Sequence, residues 1–319
     1  MSRNKAIFIT RSDIGWYSKN ANAYRKPLEV ATKYEATFYV SENCHVPKEI
    51  EGKCVEIIRF RRLRDVLIRS DPKTSRSVKV FTGFDFPCMY VGWRMKQRYG
   101  CKWTVFLWDP PCLAHRDGCL PFRWVIDAVF RFFAKRCDKL VLNIHPGLLD
   151  EIGYKPREGQ LELRMQDAWE GIDFNRVGHV ERVDGYEYDF GVLANWSKAK
   201  GGELMVNAMK RMPGRKCLWI GNPPKNRKPR DGVEFVGHLQ QEDAFARLCK
   251  CRVLVAPYLA TKALKWNYPL KLFEYLQLGR PILASDNPGN IAIADSCKGR
   301  IVLFKSGDVC DLVDKLSSI

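Results

Sequence analysis

Short apolar runs alternate with amphipathic stretches along almost the whole chain, and this rhythm limits the fold more than any other feature. Residues 6–10, 36–40, 55–60, 78–81, 103–108 and 139–144 read as strands. Most are apolar throughout rather than alternating, the pattern of strands buried on both faces. Helices are predicted between them at about 20–34, 84–99 and 122–136. A second series begins near Tyr188, with strands at 190–194, 217–220, 233–237 and 253–257 and helices at 201–212 and 241–249. Strands regularly separated by helices imply a parallel sheet covered on both sides. The pattern breaks between Gly171 and Gly185. The expectation is therefore α/β, with two doubly wound Rossmann-like domains at 1–178 and 179–319. Their strand C-termini would face a shared cleft, where such sheets bind ligands.

No apolar run approaches the roughly 20 residues that span a bilayer. Polar residues 1–5 lead into only a short apolar run, too short for a signal peptide. A cytoplasmic protein, or one held peripherally on the cytosolic membrane face, is expected. In that compartment the twelve cysteines should be free thiols. The nearest approach to a metal cluster is Cys112, His115 and Cys119 with Cys101 upstream, at irregular spacing. No metal or other cofactor is expected to take part in catalysis. The net charge of +17 asks for an anionic partner, such as nucleotide phosphates, nucleic acid or anionic lipid. Residues 59–79 hold eight basic residues against Asp65 and Asp71, a solvated loop or a lipid-facing segment.

The stretch 267–286 carries the most specific chemistry. Pro269 suits the first position of a helix, Gly279 a left-handed cap, and Pro281 stops continuation before a buried strand. Leu270, Leu272, Phe273 and Leu276 make its apolar face, while Lys271, Glu274 and Gln277 line another. A helix N-terminus with Lys271 in its first turn suits a phosphate. Glu274 lies about 4.5 Å further along the axis, where its carboxylate could accept both hydroxyls of a ribose. A plain surface ion pair between Lys271 and Glu274 fits the same spacing.

Residues 188–312 supply an ordered set of motifs around that stretch. Val192-Leu193-Ala194 is followed by Lys198-Ala199-Lys200-Gly201, then Trp219-Ile220-Gly221, Phe235-Val236-Gly237-His238-Leu239, Tyr268 to Tyr275, and Ala284 to Gly289. In this order they resemble the donor-binding domain of GT-B glycosyltransferases of the family 4 type. The resemblance implies two Rossmann-like domains and transfer of a sugar from a nucleotide-diphosphate donor. Carried onto this chain, Glu274 would hold the ribose, and Lys200 and Lys271 would neutralise the diphosphate. Gly221 and His238 would border the base, with Tyr268 and Leu272 completing the donor set. Trp266 stands where retaining members often have a Glu, and Ala194 where they often have an Arg, which leaves the stereochemistry open.

An inverting enzyme needs a base for the acceptor hydroxyl. Asp109, before Pro110-Pro111, and Asp13, beside Gly15, sit in predicted loops at strand C-termini and are the candidates. Gly15, Asp85 and His115 are placed on the acceptor side. The helix at 122–136 has a polar stripe of Arg123, Asp127, Arg131 and Lys135 among aromatic residues. It reads either as a mostly buried helix or as one resting on a membrane. The expected acceptor is a saccharide or a lipid-linked hydroxyl, in glycan or polysaccharide assembly. Alternatives are a DNA-modifying glycosyltransferase, a nucleic-acid-binding protein, a GT-B-like epimerase, or a non-catalytic nucleotide-sugar-binding protein. No nucleic-acid motif accompanies the charge.

Overall fold

The computed structural model describes residues 4–14, 22–69, 78–107, 123–164, 185–223, 232–262, 264–297 and 299–319. The chain forms two compact units, Met1–Gly171 and Ile172–Ile319. Unit 1 runs β1 (Lys5–Thr10), α1 (Asn22–Lys33), β2 (Glu35–Ser41), α2 (Lys48–Glu51), β3 (Glu56–Phe60), α3 (Arg64–Arg69), β4 (Lys79–Thr82) and α4 (Phe86–Tyr99). It continues with β5 (Lys102–Leu107), α5 (Arg123–Ala134), β6 (Lys139–Leu142), α6 (Gly147–Glu151) and β7 (Leu161–Leu163). The seven strands form one parallel sheet in the order β3-β2-β1-β4-β5-β6-β7. Strand order therefore reverses between β1 and β4, and the crevice of this unit lies beyond their C-terminal ends.

Aromatic rings carried by the central strands fill the core, with Phe8 stacked on Phe38 at 5.1 Å and Phe81 on Phe106 at 5.7 Å. Trp103 is fully buried and donates its indole N–H to Thr82 Oγ1 at 2.9 Å. Beside this core lies an ion-pair network that joins α1 to the end of β7. Arg164 Nη1 reaches both Glu29 carboxylate oxygens at 2.7 and 2.9 Å, and Lys33 Nζ donates at 2.9 Å. Lys26, only 2% exposed, lies 3.4 Å from Glu29 Oε2 with its ammonium over the Phe106 ring.

Burial alone would raise the Glu29 pKa. The hydrogen bonds from Arg164 and Lys33, with the charges of Lys26 and Arg164, outweigh it and hold the group at about 2 against an ordinary 4.5. A depressed folded pKa contributes stability that is present above the unfolded value and lost as pH falls through the folded one. Here that contribution, about 2–3 kcal/mol, disappears between roughly pH 4.5 and 2. Glu29→Gln should lower Tm at neutral pH by about 4–8 °C and flatten the acid limb of the stability curve. An acid limb identical to wild type would rule the network out as its cause.

Unit 2 runs β8 (Tyr188–Leu193), α7 (Gly202–Lys210), β9 (Cys217–Ile220), β10 (Val233–Gly237), α8 (Gln241–Leu248) and β11 (Cys251–Ala256). It ends with α9 (Leu270–Gln277), β12 (Ile282–Ser285), α10 (Pro288–Ser296), β13 (Ile301–Phe304) and α11 (Val309–Ser318). Its six strands are parallel in the order β10-β9-β8-β11-β12-β13, reversing between β8 and β11. Trp219, Phe190, Met205 and Leu312 lie in its core, which α7 and α11 help to close.

The sequence places most of these elements within a few residues. It misses α2, α3, α6, α10 and α11, and the short strands β7 and β13. The described part of the basic segment is the end of β3, the helix α3 and the start of β4 rather than a loop. Arg59 Nη1 is anchored on the carbonyls of Glu42 and Cys44. The polar stripe of α5 is divided, with Asp127 and Arg131 half-buried and Lys135 exposed. Arg131 donates to Ile152 O at 3.1 Å and Asp127 Oδ1 is buried, whereas Trp124 and Phe132 are exposed. The described cysteines are free thiols, while Cys112, His115 and Cys119 lie outside the described residues. No helix among the described residues is long and apolar enough to cross a membrane.

Candidate functional site

In unit 2 the loops that follow β8, β9, β10 and β11 all leave from the same edge of the sheet, because the strands are parallel. The loop after β8 is tightly made. Lys200 N–H donates to Ser197 Oγ at 3.1 Å and Gly201 N–H to Lys198 O at 2.9 Å. Leu259 N–H, from the loop after β11, donates to Ala199 O at 2.9 Å and locks the two loops together. Gly201 takes a left-handed φ of 77°, and a Cβ there would lie 1.8 Å from Pro257 O. This crossing of the two loops over the switch point is available only to glycine. Lys200, placed by this turn, holds its ammonium 4.4 Å from the centre of the Tyr258 ring.

A tyrosine hydroxyl opens the crevice below. β11 pairs with β8 only as far as Gly191, so Leu193 N–H has no ladder acceptor on that side. It donates instead to Tyr275 Oη at 2.7 Å, and that hydroxyl lies 3.4 Å from Val255 O. Tyr275 thus ties α9 to both strands at the point where their order reverses. Burial pushes the Tyr275 and Tyr258 hydroxyls well above the ordinary tyrosine range, with the charge of Glu274 adding to both shifts. They remain neutral hydroxyls at physiological pH.

Glu274 is the next residue back on α9. Pro269, expected at the first helical position, stands instead at the N-cap with φ −68° and ψ 116°, so α9 begins one residue later at Leu270. Gly279 follows the helix with φ 63°, as the sequence predicts for a left-handed cap. Glu274 is not on the surface: it is 3% exposed. Lys271 Nζ donates to its Oε2 at 2.8 Å, and Gln241 Nε2, from the start of α8, reaches Oε1 at 3.4 Å. An ionised carboxylate has room for about four donors. Among the described residues it meets one short and one long bond. The first-turn N–H groups of α9 lie one turn away and favour negative charge.

The other predicted donor residues divide by exposure. Gly221 and Gly237 are bridged, Gly221 N–H donating to Gly237 O at 2.8 Å, which brings the ends of β9 and β10 together. His238 follows directly and is exposed, while Tyr268 is half-buried, its hydroxyl pushed up by burial. The Leu272 side chain is wholly buried, so only its backbone can face a ligand. Trp266 is half-buried with the Lys265 ammonium 4.7 Å from its ring centre. Gln241 and Tyr275 were not singled out from sequence. Gln241 is a polar helix start after a strand, and Tyr275 reads as one more apolar residue.

In unit 1, Asp13 follows β1 and Asp85 follows β4, on either side of the switch point. Asp13 Oδ1 accepts the His45 N–H at 2.9 Å. Asp85 caps α4, accepting from Cys88 N–H at 3.0 Å. Asp109, Gly15 and His115 lie outside the described residues. His145, just past β6, was not selected from sequence. Burial lowers its pKa, opposed by Asp150, and its Nδ1 accepts the Gly147 N–H at 3.1 Å.

Residues 187–319 match the family model described as glycosyl transferases group 1. Among curated proteins no match is found. Among solved structures, HepE from Anabaena in complex with UDP is similar with a TM-score of 0.69 and 12% identity, over 98% of this chain and 89% of that one. Sucrose-phosphate synthase from Thermosynechococcus elongatus is similar with a TM-score of 0.65 and 15% identity, over 99% and 90%. An α,α-trehalose 6-phosphate synthase from Burkholderia multivorans gives 0.62 and 10%, over 99% and 88%. At these identities the structures establish the fold, which is GT-B.

Proposed function

We propose, on the match of residues 187–319 to the model of glycosyl transferases group 1, that the protein transfers a sugar from a uridine-diphosphate donor to a saccharide or lipid-linked hydroxyl in glycan or polysaccharide assembly. The observation that carries the donor side is the buried, under-supplied carboxylate of Glu274 at the strand ends of unit 2. A ribose diol provides the two O–H donors that this carboxylate lacks. UDP is the nucleotide in the HepE complex, and UDP-glucose is bound in another structure of the same protein.

Departure of a nucleoside diphosphate builds negative charge on the leaving oxygens. The N-terminal turn of α9, Lys271 and Lys200 are the groups that would stabilise it, since fixed dipoles and cations count for most where charge develops. Lys271 would serve both ribose carboxylate and phosphate, its ammonium having three donors. On the acceptor side Asp13 and Asp109 are the proposed bases. His45 N–H donates to one oxygen of Asp13 and helps to orient the carboxylate.

The reading is tested by a thermal-shift screen of UDP-, GDP-, dTDP- and CMP-sugars followed by turnover with the preferred donor. A Tm increase confined to uridine nucleotides is expected, and stabilisation by none of them would sink the proposal. Asp13→Asn and Asp109→Asn should retain donor binding, and the variant that removes the base should lose turnover about 100-fold or more. Full turnover in both would exclude these aspartates as bases.

A further inference from the structure

We propose that the outer face formed by α4 and α5 in unit 1 rests on an anionic lipid bilayer. Four aromatic side chains reach the surface there. Tyr90 and Trp124 are 46% and 69% exposed, Phe132 is 37% exposed, and Trp93 is half-exposed between them. Three of them make one contiguous group, with Trp93 5.9 Å from Tyr90 and 5.2 Å from Phe132, ring centre to ring centre. They come from both helices, so the patch exists only because α4 and α5 pack side by side. The flank of α5 adds half-exposed Val125, Ile126, Ala128 and Val129.

The charge around this patch is mostly positive, its exposed acid Asp138 being paired with Lys96 of α4 at 2.6 Å. The α4 sequence contains no acidic residue, and the single acid of α5, Asp127, has Oδ1 buried. Arg94, Arg98, Lys135 and Arg136 are exposed, and the Arg136 guanidinium lies 3.5 Å from the centre of the Phe132 ring. Exposed tryptophan and tyrosine, apolar in body and polar at the tip, belong at the depth of lipid headgroups. Cations around them pair with anionic headgroups. An acidic protein surface would engage the cations but has no use for rings set to enter an apolar layer. The use of this contact, to bring the enzyme to a membrane-held acceptor, rests on the transferase reading. The contact itself is independent of it.

The test is co-sedimentation of the full chain with phosphatidylcholine vesicles, with and without phosphatidylglycerol. Wild type should pellet with the anionic vesicles only, and less as salt rises. The pair Arg94→Gln/Arg136→Gln should weaken partitioning about tenfold or more, since each cation near an anionic surface contributes roughly fivefold. Trp124→Ser/Phe132→Ser should weaken it comparably, with Tm confirming that each variant is folded. Partitioning unchanged in both pairs, or wild-type pelleting insensitive to salt or to phosphatidylglycerol, would overturn the proposal. So would retention on polyglutamate that matches vesicle binding and ignores the aromatic pair, which would assign the face to an acidic protein. UDP titration of the same variants should be unaltered. Failure of wild type to bind UDP would remove the donor reading and leave the vesicle result standing.

Discussion

Glu274→Gln should raise the dissociation constant for UDP by about tenfold to a hundredfold in a calorimetric titration, while the protein remains folded. The size follows from hydrogen bonds to a charged group, worth about 1.5–3 kcal/mol each when both partners are desolvated. Glu274 is almost fully buried and its described partners are Lys271 and Gln241, so the uncharged amide gives up the ribose interaction with little repacking. The fold depends on this ion pair only weakly, because Lys271 is 36% exposed and such pairs contribute about 0–1 kcal/mol. A UDP affinity equal to wild type would remove Glu274 from the donor site. A large fall in Tm with unchanged affinity would make it a structural carboxylate.

Gly201→Ala should destabilise unit 2 by about 3 kcal/mol or more and abolish measurable nucleotide binding. Two costs combine at this position. A φ of 77° is strained for any residue with a Cβ, and that Cβ would sit 1.8 Å from a main-chain oxygen of Pro257. The oxygen belongs to backbone that carries Tyr258 and Leu259, so relief of the clash must part the loops that follow β8 and β11. Lys200 would move with them. Gly214→Ala is the control, since its φ of 85° is comparable but nothing lies within 4 Å of the added carbon. It should cost only the backbone strain, about 1–2 kcal/mol, and leave UDP binding intact. Equal losses in the two variants would mean that the crossing of the loops is not what glycine serves.

The fold was legible because its signal is repeated. Of the thirteen parallel strands among the described residues, eleven announce themselves by apolar composition over four or more residues. Most of the elements that escaped are short or have few apolar residues to mark them. β7 is Leu161-Glu162-Leu163, and its place at the sheet edge is held by Arg164 and its ion pairs rather than by burial. On α5 the helical spacing was right, but spacing alone does not say which side chains are buried. Periodicity shows that Arg131 and Asp127 share a side, and only packing shows that the loop carrying Ile152 takes up Arg131.

Within the donor site, the sequence by itself determined which residues could do the chemistry. A proline, a lysine and a glutamate at helical spacing, stopped by a glycine, follow three earlier motifs in an ordered set of strand–turn–helix units, and each requirement is local. Tertiary structure alone showed that the Glu274 carboxylate is buried rather than on the surface. The Lys271–Glu274 spacing is the same in a surface ion pair and in a binding site. Burial excludes the exposed arrangement, and the fold brings Gln241 of α8 to this carboxylate from 33 residues away. Tyr275 makes the same point. Its side chain looks like core in the sequence, yet its hydroxyl replaces a missing ladder acceptor between β8 and β11. That need arises only because the strand order reverses there, and no stretch of sequence read alone contains the order of a sheet.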